Sequence, residues 1–395
     1  MCLQPTDEAS FDEELINLTF TQNSKLSAQN SRGGRGAART LAVKLGGVHA
    51  LVDLACAATI FLEFSRERYS YETLCQWVLL YNALAFGLQW LIGMGADVLG
   101  GYRWVSACGV SLILAAILME PAFPLAAVVL AGVGNACFHV GAGAVVLRQA
   151  QGRADSAGLF VGPGALGLVV GVWLGGQTLP WRAPCVALLA LAGVFLLCRL
   201  PQPARLPSLR PAGGWGGALA LLNVLLLGSV LIRSTAGGLL AGHWRASLCA
   251  FLALGGAAML GKACGGLLAD RYGWRFISAL ALLVCAPLLW FGLRQDTGAG
   301  HLSAAMICAL LGMFVFQLTM PVTLVAVSLP LRAWPGLAFG LPCLALLLGA
   351  WPGLLGRTAP WHLPALLLPL LGVSLVLVWV GLGMVKRGAF HERRE

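Results

Sequence analysis

Gly93-Met-Gly-Ala-Asp97-Val-Leu-Gly100-Gly-Tyr-Arg103 and Gly266-Leu-Leu-Ala-Asp270-Arg271-Tyr-Gly273-Trp-Arg275 are two copies of one short pattern. In each, a glycine is followed by an aspartate four residues on, a second glycine three further, and then a basic residue. Each copy interrupts a long apolar stretch, and the two aspartates stand 173 residues apart. A repeat at that distance implies two structurally related halves.

The sequence around the two copies sets the solvent. Hydrophobic residues make up 58% and charged residues 11% of 395 positions, more apolar surface than a soluble domain can hide. Apolar runs long enough to cross a hydrocarbon core recur at about 42–62, 73–92, 104–119, 124–148, 156–177, 183–199, 215–240, 246–268, 275–293, 303–327, 334–356 and 363–385. In lipid these must be helices: a helix satisfies its own backbone hydrogen bonds, and the alternation that a barrel requires is absent. The 51 glycines and 19 prolines suit close helix packing and locally broken helices.

The expected fold is therefore all-α, a polytopic membrane protein with twelve transmembrane helices in two pseudo-symmetric six-helix bundles. Residues 1–40 are polar and read as a disordered cytoplasmic tail without the apolar core of a signal peptide. Residues 41–200 form the first bundle and 215–387 the second. The Pro-rich, basic segment 201–214 links them on the cytoplasmic side, and 388–395 is a second short cytoplasmic tail.

A net charge of +10 invites a nucleic-acid reading, but the placement of the charges excludes it. With a cytoplasmic amino terminus, 19 of the 26 basic residues fall on predicted inner segments, Lys262 counted among them. That asymmetry follows the positive-inside rule with both termini in the cytoplasm of a cell-membrane protein. The twelve cysteines show no metal-ligand spacing and no disulfide framework. No Gly-x-x-x-x-Gly-Lys-Ser/Thr loop is present, which argues against ATP-driven pumping. The chain reads as no enzyme, with no cofactor and no metal. Its partners are lipid, protons and a small solute, and it reads as a monomer.

Ionisable side chains inside membrane spans are costly and mark functional candidates. His49 and Asp53 are four residues apart and share a helix face. Asp53 lies roughly 16 Å into a helix starting near Ala42, close to midplane, so the pair is suited to hold or relay a proton. A buried pair that fixes helix packing is the alternative. Asn135 and His139 repeat that spacing within a glycine-rich run and are candidate solute contacts. Arg233 either snorkels or presents a guanidinium to an anion. Gln317 is a further solute candidate, with Thr319, Thr323, Asn82, Gln89 and Asn223 as weaker ones.

The second motif copy resembles the loop motif of the major facilitator superfamily, and the first is a weaker version with Val98 where a basic residue is usual. The resemblance implies a gate built from Gly93, Asp97, Gly100 and Arg103 and from Gly266, Asp270, Arg271, Gly273 and Arg275. In it the aspartates cap neighbouring helix ends while the cytoplasmic side is closed. His49-Ala-Leu-Val-Asp53, Asn135-Ala-Cys-Phe-His139-Val-Gly141, Arg233-Ser234 and Pro321-Val-Thr323 together resemble the fosmidomycin-resistance branch. Gly162, Pro163 and Gly167 are similar to the fifth-helix motif of proton-coupled exporters, with Leu166 breaking its closing glycine pair. The resemblance implies proton-coupled export, by alternating access, of a drug-like or phosphonate-like anion. An uptake system or uniporter on the same fold, and a transport-dead receptor or scaffold, are the other readings.

Overall fold

A computed structural model describes residues 8–66, 68–177, 179–201, 217–243, 248–293, 303–355 and 363–391. It contains fourteen helices: α1 (Glu8–Arg66), α2 (Tyr71–Gly87), α3 (Gln89–Leu99), α4 (Tyr102–Met119), α5 (Pro124–Ala150), α6 (Ala154–Gly175), α7 (Arg182–Arg199), α8 (Gly217–His243), α9 (Leu248–Tyr272), α10 (Trp274–Gly292), α11 (Ala304–Gln317), α12 (Thr319–Ser328), α13 (Pro335–Leu354) and α14 (Leu363–His391). No strand occurs among the described residues.

Among the described residues, twelve stretches are long and apolar enough to cross a membrane. The count is two below fourteen because two spans are broken. The second runs through α2 and α3, which meet at Leu88, and the tenth through α11 and α12, which meet at Leu318. The second break precedes Pro321 by three residues. Proline lacks the N–H that a helix interior needs but sits without cost in a first turn, so α12 starts where Pro321 is tolerated. The expected tail merges into α1, whose membrane-length part begins at Gly34. Residues 1–7 and 202–216, which take in all of the linker but residue 201, lie outside the described residues.

Large apolar side chains cover the outside as well as the core. Leu118, Leu191 and Val224 are 68%, 66% and 66% exposed, while Tyr102, Phe138 and Phe160 are fully buried between helices. Apolar inside and apolar outside is the pattern of a body solvated by lipid. The chain is a multi-pass membrane protein.

Within the first half α1 lies along α6 and α4 along α5, and in the second α8 packs on α13 and α14. The most extensive packing between the halves is α6 on α9 and α3 on α13, with α13 also meeting α2 and α5 and α12 meeting α6. The α1–α6 contact depends on missing side chains. A Cβ on Gly167 would lie 2.1 Å from the Ala50 carbonyl oxygen, and one on Gly164 2.2 Å from the His49 ring. Gly162 faces the other way and would meet the Met259 carbonyl of α9 at 2.9 Å. Pro163 touches α1 beside Gly46. The fifth-helix motif thus shapes α6 to fit two helices at once.

Candidate functional site

The polar interior of the first half is one connected cluster. His49 Nε2 stands 3.1 Å from Asp53 Oδ2, and His139 Nε2 stands 2.7 Å from His49 Nε2 and 3.5 Å from Asp53 Oδ1. Asn135 Nδ2 donates to Asp53 Oδ1 at 3.0 Å. The two i, i+4 pairs read from sequence, one on α1 and one on α5, therefore meet face to face. Asp53 keeps 18% of its side chain accessible, against 6% for His49.

The far ring nitrogens decide what the cluster can hold. His49 Nδ1 lies 2.9 Å from the Phe160 carbonyl oxygen, and His139 Nδ1 lies 2.9 Å from that of Asn135. A carbonyl only accepts, so each Nδ1 must carry the hydrogen. In neutral rings that leaves two bare Nε2 lone pairs facing each other at 2.7 Å, an arrangement that needs a positive charge between them. One proton shared by the two imidazoles supplies it, with the Asp53 carboxylate as its counter-charge. These three residues are also the one group with metal-ligand spacing among the described residues. Two nitrogens bound to a tetrahedral Zn²⁺ at about 2.0–2.1 Å stand about 3.3 Å apart, wider than this pair, so the geometry suits a proton better than a metal.

The second half carries cations instead. Arg233, on α8, is 6% exposed. Its guanidinium donates to Thr323 Oγ1 at 2.9 Å, to the Ser229 carbonyl at 3.4 Å and to Thr319 Oγ1. It makes no ion pair among the described residues, so a buried positive charge is held by hydroxyls and a carbonyl alone. Gln317 stays apart from it, against α9 beside Gly261, with its amide near Met313. A second cation, Lys262, counts from the sequence among the inner basic residues although the predicted span 246–268 contains it. It lies instead ten residues before the end of α9, within the eighth span, Cys249–Tyr272. The available signal was its position inside an apolar run.

The repeated motif forms two matched latches at one end of the bundles. Asp97 accepts from the backbone N–H groups of Gly336 (2.8 Å) and Leu337 (2.9 Å) in the first turn of α13. Asp270 accepts from Ala154 (3.1 Å) and Asp155 (3.0 Å) in the first turn of α6. Each aspartate caps a helix of the opposite half, where unpaired N–H groups and the helix dipole favour an anion. Each also takes one aromatic donor, Tyr102 Oη at 2.5 Å for Asp97 and Trp274 Nε1 at 2.8 Å for Asp270.

The glycines explain the spacing. A Cβ on Gly93 would lie 2.3 Å from the Gly336 carbonyl oxygen, and one on Gly266 2.1 Å from that of Ala154. Gly100 and Gly273 take φ of +65° and +103°, which L side chains adopt reluctantly. The motif's basic residues turn elsewhere. Arg103 donates to the Leu200 carbonyl at 3.1 Å, Arg271 lies over Tyr272 and Arg275 over Trp379. The nearest basic group to Asp270 is Arg153, at 3.6 Å.

Twelve spans among the described residues, a reciprocal pair of inter-half caps and a repeat register of 173 residues admit comparison with solved transporters. The human organic anion transporter MFSD10 (TETRAN) superposes with a TM-score of 0.64 at 15% identity, over 88% of this chain and 99% of that one. The chain has the major facilitator fold. Two structures of FucP, one in the outward conformation and one of the E. coli fucose:proton symporter, superpose on that fold with TM-scores of 0.58 at 12% identity. Each covers 87% of this chain, and 99% and 98% of the other. No family model matches the sequence, and no curated protein matches it. At such identities the likeness is one of major facilitator architecture and carries no residue roles.

Proposed function

We propose that the protein is a proton-coupled secondary transporter of a small anionic solute, working as a monomer by alternating access in a cell membrane with both termini cytoplasmic. The observation that carries this is the His49–Asp53–His139 cluster, three titratable groups in contact inside the membrane with hydrogen-bonding room for one shared proton. Its energetic cost has no structural return that apolar residues would not provide more cheaply. His49, Asp53 and His139 load the proton, Asn135 orients the carboxylate, and Arg233 with Thr319 and Thr323 meets the anion through the remaining guanidinium N–H groups.

The two latches face the cytoplasm in this reading. A charge-assisted hydrogen bond is worth about 1.5–3 kcal/mol, so two per latch hold the cytoplasmic side closed in the state seen here. Export in exchange for protons is the direction that the fosmidomycin-resistance resemblance supports, and the anion class is in keeping with the organic anion transporter among the structural neighbours. A second reading, solute and proton moving together, is supported by the fucose:proton symporter among them.

Proteoliposomes screened with organic anions under imposed pH gradients test the proposal. Wild type moves a hit anion against its gradient when ΔpH is applied. Asp53→Asn abolishes this, a loss of about 100-fold or more if a buried charged bond near 3 kcal/mol goes with it, while the protein stays folded and inserted. ΔpH-driven uptake or release by Asp53→Asn at the wild-type rate refutes the proton role. The direction of ΔpH that drives accumulation separates exchange from co-transport.

A further inference from the structure

Lys262 is a charged group within a membrane span that the proton cluster, the latches and the Arg233 site all leave unused. Its backbone is pressed against the first half, since a Cβ on Gly158 of α6 would meet the Lys262 carbonyl at 2.4 Å. Its part-exposed side chain makes no hydrogen bond or ion pair among the described residues. It lies within electrostatic reach of Asp53 on α1, His139 on α5 and Cys343 on α13. Around the cluster itself the titratable groups are His49, Asp53 and Cys56 on α1, Tyr81 on α2 and His139 on α5. On α6 Phe160 and Gly164 stand there, and neither titrates. Lys262 is thus the cation of the second half that faces the proton site of the first.

Charge counting gives this placement a consequence. With both imidazoles neutral and Asp53 ionised, the cluster carries −1, which offsets the +1 of Lys262. Adding the shared proton brings the cluster to zero and leaves Lys262 as a positive charge in a low-dielectric interior with nothing to neutralise it. Such a charge draws in an anion strongly.

We propose that Lys262 is an anion-binding residue of the solute pathway whose availability is set by protonation of the His49–Asp53–His139 cluster, so that proton and anion load together. This rests on the proton reading of that cluster. By linkage, an anion on Lys262 must tighten proton binding by the same factor by which the proton tightens anion binding. Loading together favours co-transport over exchange.

The test uses the full chain in nanodiscs, with thermal stabilisation read against benzenesulfonate, which is singly charged at pH 5.5 and pH 8, and against neutral benzenesulfonamide. The expected result is sulfonate binding about tenfold tighter at pH 5.5, one electrostatic coupling of typical size, with no such dependence for the sulfonamide. Lys262→Met removes the low-pH gain and Lys262→Arg restores most of it. The double variant His49→Gln with His139→Gln removes the pH dependence, because the two Nε2 atoms that share the proton are gone. An intact pH dependence in Lys262→Met overturns the Lys262 role while the proton reading stands. An intact pH dependence in that double variant overturns the proton reading itself. Absence of sulfonate stabilisation in wild type at both pH values overturns the anion site.

Discussion

The two halves match at one level of the molecule and differ at another. At the latch end the correspondence is nearly atom for atom: Gly93 and Gly266 allow backbone contact, Gly100 and Gly273 take positive φ, and each aspartate caps the first turn of a helix in the other half. Deeper in, the first half holds a carboxylate with two imidazoles, and the second holds Arg233 and Lys262, neither in an ion pair among the described residues. A gate that closes symmetrically needs the same chemistry from both sides. Coupling two ions of opposite sign needs different chemistry, and the polar interior is where the repeat has been given up.

That contrast can be broken at its asymmetric level first. Arg233→Ala removes the buried charge that the anion would meet, and truncating one partner of such a pair costs about 2–5 kcal/mol, roughly 30-fold or more in affinity. Anionic solutes should weaken by that factor in a binding assay while neutral ones hold. Equal loss for both makes Arg233 a packing residue joined to Thr319 and Thr323, and the second half then has no special claim on the anion.

The symmetric level predicts equality. Gly93→Ala and Gly266→Ala each drive a methyl group into opposing backbone at 2.3 and 2.1 Å. Overpacking costs about 1–3 kcal/mol, so each should shift the resting population toward the latch-open state by about tenfold. Thiol labelling of cysteines introduced near Ser328 would report the opening. Similar shifts from the two variants sharpen the comparison, and a large shift from one alone shows that a single latch governs the gate.

The division between what could be read early and what could not follows the same line. Twelve spans were legible because lipid forces every backbone group into a helix, leaving length and hydropathy to mark them. The motif aspartates were legible as helix caps in kind, but their partners lie 239 residues away for Asp97 and 116 for Asp270, and no local pattern names a distant helix start. The i, i+4 spacing fixed that His139 shares a face with Asn135. It carried nothing about which helix that face would meet, and so His139 was read as a solute contact rather than as the neighbour of His49. Lys262 falls inside the predicted span 246–268 and yet counts with Arg271 and Arg275 as an inner basic residue; α9, which runs on to Tyr272, sets it ten residues inside the helix end.

The shared proton is the centre of this account, and ¹⁵N NMR of histidine-labelled protein reads it directly, with His49→Gln and His139→Gln giving the assignments. Across a titration both Nδ1 nitrogens should stay protonated while one proton in total leaves the two Nε2 atoms, and the Nε2 resonances should move together. Two independent imidazole titrations, or a bare Nδ1 on either ring, would contradict it.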